Sequence, residues 1–249
     1  MVVKKYLEKI SFWYNKIIRS LYYNFRYRLY PWKEIEGVLF PVKLNYGYSV
    51  IRFIDNGTYE GGEIEIIKDT IAPEDIVLEL GTGLGFISAF CSKKIGSDRV
   101  YTFEANPKLE NSIKKLYQKN QVNPNLEFAV LGKSNEEKIF YVDQNNLLAS
   151  SLKGNAGNNI VRTIIRQKDI NEVIKEIGPT YLIMDIEGGE YDLFMGIEFD
   201  TVKKIQFELH PLLLIETQVE EIFEVLKKNG FIKNDLLGNE NNFFFEKIS

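Results

Sequence analysis

Five acids and one histidine, set at the ends of apolar runs and beside glycine turns, carry the chemistry this chain could do. Asp75 to Phe86 reads DIVLELGTGLGF, an apolar run that ends in Glu79 and then in glycines at 81, 83 and 85. Glycines so spaced let a backbone turn sharply and approach a ligand. A helix starting there adds free N–H groups suited to the polar part of a nucleotide-like molecule. RVYTFEANP then brings Glu104 nineteen residues past Gly85, at the end of a second apolar run. A carboxylate in that place can accept hydrogen bonds from both hydroxyls of a ribose. TYLIMDIEGGEYDLF repeats the arrangement, with Asp185 and Glu187 ahead of a Gly188-Gly189 turn. KKIQFELHP ends in Glu208 and His210, the one histidine of the chain, and imidazole titrates where a general base is most useful.

The glycine spacing discriminates between ligands. A dinucleotide fingerprint, G-x-G-x-x-G, would need its third glycine at position 86, where Phe86 stands, and this disfavours a nicotinamide oxidoreductase. The order here is E-x-G-x-G-x-G, which resembles motif I of class I S-adenosylmethionine-dependent methyltransferases, whose loop faces the methionine end of the cofactor. A tight strand-to-helix turn without any ligand explains the glycines alone, but not Glu104 in register with them.

Parallel strands and helices must position these groups. Ile76 to Leu80, Arg99 to Phe103, Leu126 to Gly132, Tyr181 to Met184 and Val202 to Leu209 read as buried strands. Helices fit Glu60 to Thr70, Phe86 to Ile95, the stretch from Pro107 to Asn120, Asp169 to Ile177 and Gln218 to Asn229. Ligands of parallel α/β sheets lie beyond the carboxyl ends of the strands, so Gly81, Glu104, Asp185 and His210 are expected on one edge. KIFYVD and NIVRTIIR are further strands around a long polar loop, QNNLLASSLKGNAGNN, in which Ser150 and Ser151 are substrate-side candidates. FIKNDLLGNENNFFFEK closes the sheet as a hairpin, and Gly37 to Tyr59 is expected to form short strands joined by turns. Glu190 is expected to favour the start of the following helix through its dipole.

With 249 residues, 45% hydrophobic and 27% charged, the chain can bury one sizeable core and carry an appendage. A net charge of −4 gives no overall basic footprint for nucleic acid. Cys91, the only cysteine, reads as a small buried hydrophobe in a chain of a reducing compartment. Residues 1–32 differ in kind. Leu7, Ile10, Tyr14, Ile17, Leu21 and Phe25 recur at helical spacing among Lys5, Lys9, Lys16, Arg19 and Arg26, and Glu8 is the only acid before Glu34. No run is long and apolar enough to span a bilayer, and no signal-peptide cleavage pattern follows. A basic, aromatic, amphipathic helix is expected to lie on a membrane surface, or else to pack on its own domain or a second subunit. Pro31 ends it.

LELGTGLGF, FEANP, AVLG, ASSL, MDIEGGEYD and FELHP, in this order, resemble the FkbM family of S-adenosylmethionine-dependent methyltransferases over roughly Tyr59 to Pro211. The resemblance implies a class I, Rossmann-like α/β domain over 59–249, a mostly parallel seven-stranded sheet with helices on both faces, preceded by a linking region, 33–58, and the N-terminal amphipathic helix, 1–32. It implies S-adenosylmethionine as cofactor, with Glu79, Gly81, Thr82, Gly83, Gly85 and Phe86 around its methionine end. Glu104 falls at the ribose and Val130 at the adenine, and Ala105, Asn106 and Asp185 are further cofactor contacts. Tyr59 and Glu60 are second-rank contacts. Family members methylate hydroxyl groups, many on sugars of surface glycans or natural products, so the expected partner is a glycan or small-molecule hydroxyl acceptor, in the cytoplasm or at the inner face of its membrane. His210 is then the base, with Asp185 and Glu187 orienting substrate hydroxyls. Alternatively Asp185, Glu187, Glu208 or His210 hold a divalent metal that lowers the hydroxyl pKa. A non-catalytic scaffold that docks glycan-assembly enzymes at a membrane is the competing reading.

Overall fold

The computed structural model describes residues 17–18, 21–23, 25–42, 48–143, 160–186, 188–210 and 214–247. Residues 1–16, 19–20 and 24 of the helix expected over 1–32, the 144–159 loop with Ser150 and Ser151, and Glu187 fall outside them. The chain forms two compact units, 1–59 and 60–249.

In the first unit, residues 25–29 are helical and the helix stops before Pro31. The strands expected from Gly37 to Tyr59 are only partly there. A hairpin pairs β1 (Trp32–Ile35) with β2 (Val38–Pro41) in antiparallel register, and a helix, α1 (Tyr48–Asn56), replaces the rest. Ile51 and Ile54, three apart, are both buried, which is helical spacing. Asn56-Gly57 closes that helix rather than a hairpin: Gly57 N–H donates to Ile54 O and Thr58 N–H to Phe53 O, the paired bonds of a Schellman ending.

The second unit opens with α2 (Gly61–Thr70), then β3 (Val77–Leu80), α3 (Phe86–Ile95), β4 (Val100–Glu104), α4 (Glu110–Asn120) and β5 (Asn125–Phe128). Asn106 caps the single 3-10 turn that Pro107 begins ahead of α4. The run expected as one strand to Gly132 divides at Ala129. Its second half, β6 (Val130–Gly132), leaves the main sheet and pairs with the long hairpin of β7 (Glu136–Asp143) and β8 (Ile160–Asp169). Asp169 caps α5 (Ile170–Ile177) by accepting from the N–H groups of Asn171 and Glu172. There follow β9 (Tyr181–Met184), the short α6 (Glu190–Phe194), β10 (Lys204–Glu208), α7 (Glu216–Lys228), β11 (Phe231–Gly238) and β12 (Asn242–Lys247).

The seven strands run in the order β11-β12-β10-β9-β3-β4-β5, and β10, β9, β3, β4 and β5 are mutually parallel. The chain winds outward from β3 through β4 to β5, then returns to β3's other side with β9 and β10. That reversal leaves a crevice at the carboxyl ends of β3 and β9, the switch point where such sheets bind ligands. β3 and β9 are buried along their whole length, as strands covered on both faces must be. At the opposite, amino ends, Asp75 joins three strands: Lys204 Nζ reaches its Oδ2 at 2.7 Å, and the Thr180 hydroxyl donates to its Oδ1 at 2.8 Å.

Candidate active site

The β3–α3 turn leaves the sheet at Gly81, whose φ is +91°, and a Cβ there would lie 1.9 Å from the Asp185 carbonyl oxygen. Gly85 is hemmed in by the Tyr117 ring, 2.9 Å from where its Cβ would be. Packing inside the protein therefore accounts for two of the three glycines. Gly83 is different. Its φ is +55°, and the nearest atom to its would-be Cβ is Glu60 Oε1, at 3.9 Å, so the loop presents open ground at that residue. Glu60 itself holds a left-handed backbone, φ +48°, a conformation that costs a non-glycine residue about 1 kcal/mol or more and gathers at functional sites.

Glu104, at the tip of β4, ties that loop to the neighbouring strand. Its Oε2 accepts from Gly83 N–H at 2.8 Å and its Oε1 from Asn106 N–H at 2.7 Å. The carboxylate keeps acceptor capacity beyond these bonds, which fits the hydroxyls of a ribose. Burial pushes the Glu104 carboxyl up to about 7, against the hydrogen bonds from Asn106, Gly83 and Ala105 and with the help of the Asp185 charge. The loop face open at Gly83, beside a carboxylate with acceptor capacity to spare, fits S-adenosylmethionine.

Other expected cofactor residues lie deeper. Glu79 is buried below the turn, where the Thr102 hydroxyl donates to its Oε2, and Thr102 in turn meets the Thr82 hydroxyl. Burial raises Glu79 to about 8, while hydrogen bonding from Thr102 and Ser88 pulls the other way. The Phe86 side chain is wholly buried, so Phe86 and Thr82 offer a ligand only their backbone. Ala105 follows Glu104, Asn106 is buried with its Oδ1 accepting from Lys108 N–H, and Val130 sits half-buried in β6.

Asp185 links the two halves of the crevice. Its N–H donates to Leu80 O and its carbonyl packs on Gly81. Its Oδ1 lies 3.6 Å from His210 Nε2, which puts the histidine on the same rim as Gly81. His210 is anchored from behind by Glu190, whose Oε1 stands 2.7 Å from Nδ1. A carboxylate can only accept, so Nδ1 carries a proton, and in the neutral ring the lone pair falls on Nε2, the atom facing Asp185. Glu190 is completely buried; Gly188 N–H also donates to its Oε1, and its Oε2 finds no hydrogen-bond partner among the described residues. The helix-start role expected for Glu190 is thus joined by one that its position in the sequence did not show.

Glu208, at the end of β10, completes the group. Burial, the Asp185 charge and the adjoining Glu63 carboxyl of α2 push it up to about 7, with His210 acting in the opposite sense. Asp185, Glu208 and His210 each offer one ligand atom, and the three atoms lie within 4.8 Å of one another. A polar rim of this kind can accept several hydroxyl hydrogen bonds and take up one proton.

A parallel sheet that reverses at β3, with an acid-glycine turn after that strand and a carboxylate at the tip of the next, is the class I, Rossmann-like methyltransferase fold. The chain belongs to the FkbM methyltransferase family of S-adenosylmethionine-dependent enzymes: the model of the methyltransferase FkbM domain matches residues 75–233. No curated protein matches the sequence. Among solved structures the chain is similar to the precorrin-6y C5,15-methyltransferase of Geobacter metallireducens, at 12% identity and a TM-score of 0.45 over 75% of this chain and 86% of that one. It is also similar to a methyltransferase of Pyrococcus furiosus, at 14% identity and a TM-score of 0.44 over 77% and 84% of the two chains. A third is the tRNA (uracil-54, C5)-methyltransferase of Pyrococcus abyssi in complex with S-adenosyl-L-homocysteine, at 12% identity and a TM-score of 0.47 over 88% of this chain and 44% of that one.

Proposed function

We propose that this methyltransferase acts on oxygen, methylating a hydroxyl group of a sugar in a surface glycan or a related glycoconjugate. The observation that carries the reading is the buried Glu190 behind His210, which anchors Nδ1 and turns Nε2 toward the rim shared with Gly81 and Asp185. Glu104 and the open face at Gly83 would hold the nucleoside. S-adenosylmethionine, when bound, supplies an activated methyl group, so the chain has two tasks: to hold an acceptor oxygen in line and to remove its proton. His210 Nε2 takes the proton, Glu190 stabilises the imidazolium that results, and Asp185 accepts from a neighbouring hydroxyl of the acceptor. The carboxylates of Asp185 and Glu208 suit an acceptor rich in hydroxyls.

The test is methyl transfer from labelled S-adenosylmethionine to envelope glycan extracted from the source cells, with the product sugar identified by mass spectrometry. An O-methyl sugar is expected with the native enzyme. His210→Ala should lower the rate about 10²–10⁴-fold, the usual worth of a positioned base, with the affinity for S-adenosylhomocysteine unchanged. Full activity in that variant would remove the base, and label appearing only on nitrogen or carbon would remove the O-methyl reading.

A second reading is favoured by the convergence of Asp185, Glu208 and His210. A divalent cation held by them would polarise the acceptor hydroxyl, and mixed carboxylate and imidazole ligation suits such an ion. Activity that survives exhaustive chelation would end it.

A further inference from the structure

The helical residues ahead of Pro31 turn the wrong side outward for a helix that serves only its own unit. Leu21, Phe25 and Leu29 are 62%, 72% and 59% exposed, and Ile17, Ile18 and Tyr22 are exposed with them. By sequence spacing, at about 100° per residue for a helix, these six positions fall within about 140° of arc, while Tyr23 and Tyr27 lie on the far side. Those two tyrosines are the buried ones. The Tyr27 hydroxyl donates to Asp55 Oδ1 at 2.5 Å, and Arg26 Nη1 donates to the same oxygen at 2.7 Å. A surface helix normally buries its apolar stripe and wets its polar one; here the polar side is spent on Asp55 of α1 and the apolar side is left over.

Charge selects what covers that stripe. Residues 1–32 hold seven basic residues and one acid, in a chain whose net charge is −4. A second copy would bring one strongly basic segment against another, and like charges oppose that pairing. An anionic lipid surface is complementary on both counts, since it takes apolar side chains at the acyl boundary and attracts basic residues to the headgroups. No helix among the described residues is long and apolar enough to cross a membrane, so the element would lie in the interface. We propose that the segment ending at Pro31 is a peripheral anchor for anionic phospholipid bilayers, with Leu21, Phe25 and Leu29 as inserted side chains.

The experiment is co-sedimentation of the full chain with vesicles containing phosphatidylglycerol, against vesicles of phosphatidylcholine alone. Pelleting is expected with the first, weakening as salt screens the basic residues. Leu21→Glu combined with Phe25→Glu should lower the bound fraction about tenfold or more. Both side chains are exposed, so thermal unfolding and S-adenosylhomocysteine binding should stay at native values, which separates lost anchoring from lost folding. Native-level pelleting of the double variant overturns the proposal. So does failure of the native chain to bind either vesicle, including the case in which the chain is a dimer that the double variant makes monomeric.

Discussion

His210 Nδ1 and Glu190 Oε1 stand 2.7 Å apart, twenty residues distant in the chain, with Glu190 sealed from solvent. A buried carboxylate in this position fixes the orientation of the ring and holds a proton on Nδ1. Glu190→Gln keeps an acceptor for Nδ1–H and nearly the same volume, but removes the charge that would stabilise an imidazolium. The turnover number should fall about 10–100-fold, with S-adenosylhomocysteine affinity and thermal stability near native. Calorimetry alongside steady-state rates separates this from a folding defect. An unchanged turnover number would reduce Glu190 to a helix-start residue.

Two neighbouring glycines should fail in different ways. A Cβ on Gly81 would lie 1.9 Å from backbone oxygen of Asp185, which cannot swing aside, so Gly81→Ala should cost at least about 3 kcal/mol of stability. Gly83→Ala meets open space and should cost only the strain of a left-handed alanine, about 1–2 kcal/mol. Its damage should appear instead in S-adenosylhomocysteine binding. Urea unfolding and calorimetry on the pair check this, and equal stability losses would contradict it.

The contrast between these residues marks what the chain shows before folding. Apolar runs ending in glycine or acid are local, and so the β3 turn, Glu104 at the tip of β4 and the edge shared by Asp185 and His210 were all legible. The Glu190–His210 bond was not, because a carboxylate at a helix start already has a local explanation and the partner arrives from another strand. Asn56-Gly57 misled for a related reason: the same dipeptide suits a hairpin turn and a helix ending, and only the burial of Ile51 and Ile54 on one helical face decides. Nothing local marks Ala129 as the point where one β-rich run divides between two sheets, since both halves pair normally.

Cofactor binding should depend on pH through Glu104. Its carboxyl sits at about 7 in the free protein, and the ionised form accepts best from Gly83, Asn106 and two ribose hydroxyls together. Affinity for S-adenosylhomocysteine should therefore rise as pH rises through about 7, by about tenfold between pH 6 and pH 8. Binding at neutral pH should release protons, visible as a dependence of the calorimetric heat on buffer ionisation enthalpy. Glu104→Gln should bind about 10–100-fold more weakly, with the pH dependence gone. A native affinity flat across that range would show that Glu104 keeps one protonation state throughout.

Stability and catalysis separate along the strands. Asp75 lies at the amino ends of β3, β9 and β10, held by Lys204, Thr180 and the Ala72 N–H, on the side away from the crevice. Asp75→Ala leaves the partly buried Lys204 ammonium without its carboxylate and should cost about 3–5 kcal/mol. S-adenosylhomocysteine affinity, measured below the new melting temperature, should not change. A variant that folds with native stability would mean that Lys204 finds adequate replacement in Thr70 O, 2.7 Å from its Nζ.

Glu79 should make the fold less stable toward alkaline pH. In the unfolded chain its carboxyl ionises near the ordinary 4.5, and in the folded chain burial raises it to about 8. Between those values the folded state keeps a proton that the unfolded state has released. The contribution is therefore complete below about 4.5, declines as pH rises toward about 8 and levels off beyond, with a total on the order of a few kcal/mol at about 1.4 kcal/mol per unit. Glu104 and Glu208, both raised to about 7, act in the same direction, so the native slope alone does not isolate Glu79. Glu79→Gln does: it retains an acceptor for the Thr102 hydroxyl and cannot ionise. Its unfolding free energy should fall less steeply between pH 5 and pH 8 than that of the native chain, and exceed it at pH 8. Parallel profiles for the two proteins would mean that Glu79 carries no excess proton in the folded state.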